Sequence, residues 1–149
     1  MRLSPWLLMA PVLVGGVVLI VVAIVTAGSS GTPGGGRATP TPDPRVAGLT
    51  PDTTLSIEAG DNFFQPTELA GAAGDVIELK IDNIGAVTHN LRLAGLDNEY
   101  ETGDDFGGQP LTIGAGEEAT VVVKIDEPGA YNFRCDFHPI EQRGTLVLA

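Results

Sequence analysis

Tyr131-Asn132-Phe133-Arg134-Cys135-Asp136-Phe137-His138-Pro139 holds the only cysteine of the chain and one of its two histidines. The other histidine, His89, lies 46 positions before Cys135. Two imidazoles and one thiolate are the in-plane donor set of a trigonal copper site. A short loop at a strand end lets Cys135 and His138, three residues apart, point to a common centre. His89 has to arrive from a different strand, so the site requires a fold that brings distant strands together.

Upstream of this stretch the hydrophobic pattern has the period of strands. Thr54–Glu58 and Val76–Asp82 alternate, while His89–Leu93 and Ala119–Ile125 are β-branched or alternate. Tyr131–Arg134 and Gly144–Leu148 close the chain as a final pair. Turn signals separate these runs: Gly71 to Asp75, Asn83 with Gly85, Gly114 to Gly116, and Pro128-Gly129. About seven or eight short strands at this spacing predict an all-β domain, an antiparallel sandwich with Greek-key connections. It covers residues 51–149 and is expected to be monomeric. Residues 95–110, polar and glycine-rich, read as a long loop or a single helical turn.

The first fifty residues are of another kind. Leu7 to Ala27 is an uncharged run of 21 residues rich in Leu, Val, Ile and Ala. At 1.5 Å per helical residue it spans about 30 Å, enough to cross a bilayer core. Residues 1–27 are therefore expected to form a single transmembrane anchor. A cleaved signal peptide is the alternative, since Val25-Thr26-Ala27 offers small residues for a peptidase, but its apolar core would be shorter. Arg2 precedes the run and the next basic residue is Arg37, which puts the N-terminus in the cytoplasm and the domain outside it. If the segment is cleaved, the domain becomes secreted or periplasmic. Residues 28–50, rich in Gly, Pro, Ser and Thr, are expected to be a flexible linker.

Residues 51–149 carry 18 Asp or Glu against 5 Lys or Arg, a net of −13, which argues against nucleic acid as a partner. A lone cysteine outside the cell can make no intrachain disulfide and would be open to oxidation. Ligation of a metal by its thiolate removes that liability.

With these residues in order, the domain resembles a cupredoxin of the small plastocyanin-like or azurin-like kind. The resemblance rests on Asp61-Asn62-Phe63-Phe64-Gln65-Pro66, on His89-Asn90, on Pro128-Gly129-Ala130-Tyr131, and on Cys135-x-x-His138-Pro139. It implies one copper ion held by His89, Cys135 and His138. Most relatives add a weak axial methionine, but both methionines here, Met1 and Met9, fall in the N-terminal segment. With Gly144 aligned to the glycine that opens the last strand, Gln142 takes the methionine position, as in stellacyanin. Glu141 and a vacant axial position are the alternatives. An oxygen donor favours Cu(II) and lowers the reduction potential.

The resemblance also implies supporting roles. Asn90 ties the two ligand loops together, and Asp136 follows the cysteine with its side-chain role open. Phe137, Pro139 and Ile140 are expected to collar His138 as an electron-transfer surface, with Phe137 equally readable as core. The acid cluster Asp97, Glu99, Glu101, Asp104 and Asp105 reads as a solvated loop or as a docking patch for a basic redox partner such as a cytochrome or oxidase. The leading expectation is a membrane-tethered, extracytoplasmic one-electron carrier and not an enzyme. The alternative is a copper chaperone or store that delivers the ion to an extracytoplasmic oxidase.

Overall fold

The computed structural model describes residues 42–149, so the expected anchor and most of the expected linker lie outside the described residues. No helix among the described residues is long and apolar enough to cross a membrane. Among the described residues nine strands form two sheets: β1 Thr53–Gly60, β2 Phe63–Gln65, β3 Glu68–Gly71, β4 Val76–Asn83, β5 Arg92–Leu93, β6 Phe106–Gly107, β7 Glu118–Lys124, β8 Gly129–Arg134 and β9 Arg143–Leu148. The first sheet has the order β2-β1-β4-β7 and the second β3-β9-β8-β5-β6.

Alternation in the sequence fixes which face each strand buries. In β4, Ile77, Leu79 and Ile81 are buried while Lys80 is exposed, and they lie opposite Val123, Val121 and Ala119 of β7. A one-residue slip would turn every one of these side chains to water. Each large aliphatic side chain buried this way contributes about 1.5–3 kcal/mol, so register is strongly specified. Tyr131 and Phe133 of β8 and Leu146 and Leu148 of β9 supply the second sheet's share of the core. Phe64 of β2 meets Phe133 of β8 with ring centroids 5.5 Å apart, joining the two sheets near the ligand-bearing end.

The all-β sandwich matches the sequence reading, with differences of detail. It is mixed and not wholly antiparallel: β1 pairs with β4 in parallel, and so does β3 with β9. β3 lies in the second sheet, so the chain leaves the first sheet between β1 and β4 and re-enters running the same way, which is how parallel neighbours arise. Of the strand read over His89–Leu93 only Arg92 and Leu93 are ladder residues, and His89 makes an isolated bridge to Ile113. Within residues 95–110 the two-residue strand β6 pairs with β5, buried through Phe106. The loop before it is bent by left-handed Asn98 and Glu101 and is not helical.

Packing also begins earlier than residue 51. Val46 is buried in the core cluster, and the Arg45 guanidinium lies 3.9 Å from the Phe106 ring centroid while donating to the backbone carbonyls of Asp104 and Asp105. Residues 42–50, expected as part of the linker, are thus joined to the sandwich by one apolar and one cationic side chain.

Candidate metal centre

His89, Cys135 and His138 converge at one end of the sandwich, with their ligating atoms within 4.8 Å of one another. The Cys135 Sγ lies 3.9 Å from His89 Nδ1 and 3.8 Å from His138 Nδ1. One thiolate and two imidazoles this close together are a donor set that would hold a single copper ion.

Each ligand is positioned differently. Cys135 and His138 belong to the tight connection between β8 and β9. There the Cys135 amide donates to the Gln142 carbonyl at 2.9 Å, and the Gln142 amide donates to the His138 carbonyl at 3.0 Å. Gly144 lets β9 begin at once: a Cβ there would lie 2.4 Å from the Thr67 carbonyl and 2.3 Å from the Phe133 ring. His89 is held instead by its bridge to Ile113, amide to carbonyl at 2.9 Å and carbonyl to amide at 2.8 Å. Buried Asn83 reinforces that bridge, its Nδ2 donating to the Ile113 and Val87 carbonyls at 2.9 and 2.8 Å and its Oδ1 accepting from the Gly85 amide.

Solvent reaches this cluster from one side. His89, Cys135 and Gln142 are fully buried, while the His138 ring is partly exposed. Phe137, Pro139 and Ile140 beside it in the chain are exposed, so Phe137 is not core. Burial, and next the neighbouring His138, lower the His89 pKa, while the Gln142 side chain and the Asp61 carboxylate oppose the shift. His89 is therefore neutral at pH 7, the form a metal ligand needs.

Gln142 is oriented by its amide nitrogen. Nε2 donates to the Gly60 carbonyl at 2.8 Å and to the Phe63 carbonyl at 3.1 Å, which turns Oε1 the other way. That oxygen is buried without a hydrogen-bond partner, as is Nε2 of His89. An orphaned acceptor beside three ligands is suited to a weak axial contact. Glu141 is exposed.

Asn90 and Asp136 do join the two ligand segments. The Asp136 amide donates to Asn90 Oδ1 at 2.8 Å, and Asn90 Nδ2 donates to the Asp136 carboxylate at 2.9 Å. That carboxylate also accepts from Arg92 and Arg134. Burial alone would raise its pKa, but bonds from Arg92, then Asn90 and Arg134, hold it below the usual carboxylate range. Arg92 continues to Asp105 at 3.1 Å and Arg134 to Glu101 at 3.2 Å. Asp105, with a side chain 6% exposed, is an internal partner of Arg92 and not part of an outward patch. Asp97 and Glu99 remain at the surface.

Sequence reasoning missed Asp61 and Asn83 as parts of this end of the fold. Asn83 was visible only as a turn signal, and Asp61 only as the first residue of a motif.

A family model described as a cupredoxin-like domain matches residues 18–148. No curated protein matches the chain. Among solved structures, auracyanin B is 24% identical with a TM-score of 0.57, covering 67% of this chain and 91% of its own. Auracyanin A, a "blue" copper protein of Chloroflexus aurantiacus, is 20% identical with a TM-score of 0.55 over 64% of this chain and 98% of its own. The auracyanin of Roseiflexus castenholzii, also 20% identical, has a TM-score of 0.56 over 67% and 99%. At these identities the neighbours establish the fold, and the family match extends through the ligand-bearing loop to residue 148. The chain belongs to the cupredoxin-like domain family.

Proposed function

We propose that the domain is a one-electron carrier of the type 1 copper kind, with His89, Cys135 and His138 as equatorial ligands and Gln142 Oε1 as the axial one. The observation that carries this reading is the convergence of two imidazole Nδ1 atoms on one buried sulfur, with an unpartnered amide oxygen close by. Bound there, copper would supply a one-electron Cu(I)/Cu(II) couple. The protein's part is to hold soft thiolate, imidazole and amide oxygen in a setting that neither oxidation state prefers outright. The His89–Ile113 bridge, the connection between β8 and β9 and the Asn90–Asp136 pair hold those donors, which would lower the rearrangement on electron transfer.

The partly exposed His138 edge within the Phe137, Pro139 and Ile140 collar is the proposed exit for the electron, docking on a redox protein such as a cytochrome or oxidase. Asp97, Glu99 and Glu101, exposed on the loop before β6, are the acidic residues proposed to steer a basic partner. The apolar run Leu7–Ala27 is the proposed tether, placing the domain outside the cytoplasm. Copper delivery is the second reading. Full burial of His89, Cys135 and Gln142 weighs against it, because handing over the ion would require the site to open.

Voltammetry of the copper-loaded chain tests the axial assignment. Gln142→Met and Gln142→Ala should each raise the reduction potential by removing a hard donor that favours Cu(II). Glu141→Ala should raise it only slightly, as screened charge removal. A large shift in Glu141→Ala with none in the Gln142 variants moves the axial contact to Glu141.

A further inference from the structure

His89 turns Nδ1 toward Cys135 and leaves Nε2 buried with no hydrogen-bond partner. The carboxylate facing that nitrogen belongs to Asp61, whose Oδ1 lies 3.9 Å away. Asp61 follows the end of β1, yet it is fastened to the loop leading to His89: Oδ1 accepts from the amides of Ala86 at 2.6 Å and Val87 at 3.3 Å. Room for it is made by Gly85, where a Cβ would lie 2.3 Å from Asp61 Oδ1. The carboxylate is therefore built into place beside the buried ligand.

A metal on Nδ1 obliges the imidazole proton to sit on Nε2, since neutral imidazole has one donor and one acceptor nitrogen. At 3.9 Å the ring and the carboxylate are not yet hydrogen-bonded. Resting on the copper reading above, we propose that Asp61 is the positioning residue of His89. When Nδ1 ligates the ion, Nε2–H donates to the Asp61 carboxylate, fixing tautomer and ring orientation and making the imidazole a stronger donor. Carboxylate–histidine–metal arrangements act in this way, and loss of the outer partner typically costs about ten- to a hundredfold in metal affinity. A more basic imidazole favours the higher charge, so Asp61 stabilises Cu(II) over Cu(I).

The test compares detergent-solubilised full-length wild type with Asp61→Asn, which can still accept the Ala86 and Val87 amides, with Asp61→Ala, which cannot, and with Gly85→Ala, which displaces the carboxylate. Cu(II) affinity should fall about ten- to a hundredfold in Asp61→Asn. Its reduction potential should rise by about 59 mV for each tenfold by which the Cu(II) loss exceeds the Cu(I) loss. In the diamagnetic Zn(II)-loaded wild type, NMR should find the His89 Nε2 proton strongly downfield, and it should move upfield in Asp61→Asn and Gly85→Ala. An unchanged potential and an unchanged Nε2 proton in Asp61→Asn, with Asp61→Ala only less stable, would reduce Asp61 to a loop clasp and overturn the proposal. A wild type with a bonded Nε2 proton in its zinc form but no intense visible band with copper would remove the copper reading while leaving Asp61 in its role.

Discussion

The two histidines of the site are held in opposite ways. His89 is fully buried, locked by a reciprocal backbone bridge to Ile113 and backed by Asn83 and Asp61. His138 sits on a short hairpin connection, partly exposed and beside the exposed Phe137, Pro139 and Ile140 in the chain. One ligand is anchored by the sandwich and the other is presented to the outside. The contrast separates two requirements of a carrier: a ligand set that does not rearrange, and a ligand through which an electron can leave.

The sharpest way to break this contrast is to delete each ring. His89→Ala should abolish the intense copper band, because an internal ligand cannot be replaced from solution. His138→Ala should weaken binding but regain much of the band on adding imidazole, whose access runs past the collar. Absorption titrations of both variants check this, and equal rescue of the two would erase the distinction.

A smaller but measurable effect is expected from the scaffold behind His89. Asn83 makes three hydrogen bonds while almost fully buried, and at about 1 kcal/mol each Asn83→Ala should cost roughly 2–3 kcal/mol of stability in urea unfolding. Loss of copper affinity should accompany it, since the bridge that carries His89 loosens. If Asn83→Ala is as stable as wild type, the backbone bridge alone positions the ligand.

The smallest effect belongs to the clamp on the His138 side. Asp136 has a folded-state pKa below its unfolded value, so its contribution is present above the unfolded pKa near 4 and is lost as pH falls through the lower folded value. Asp136→Asn should therefore be less stable than wild type at pH 7, and the gap should shrink as the pH is lowered below about 4. Paired unfolding curves at several pH values check the sign. A gap that does not change over this range would show that the Arg92 and Arg134 contacts contribute no net stability.

Much of the centre was legible because its chemistry is scarce: one cysteine and two histidines leave few ways to build a soft metal site. Gln142 was legible through Gly144, where close approach of Phe133 and the Thr67 carbonyl excludes any side chain and so anchors the loop length. Asp61 was not, because one acid among 18 in the domain carries no mark of facing a ligand. Asp105 was misjudged for the converse reason: it reads as one more surface charge until Arg92, 13 residues earlier, is seen to pair with it. Val46 and Arg45 likewise look like linker residues, and only tertiary contact with the core and Phe106 makes them part of the domain. The short strands β2, β3 and β6 have too few residues to show a period, so their pairing is decided by neighbours distant in sequence.

The visible absorption spectrum of the Cu(II)-loaded chain, recorded beside that of Cys135→Ser, tests the central claim most directly. Convergence of His89, Cys135 and His138 on one copper ion predicts an intense charge-transfer band from the thiolate, absent when a hydroxyl replaces the sulfur. A colourless copper-loaded wild type, or a band that survives in Cys135→Ser, would contradict it.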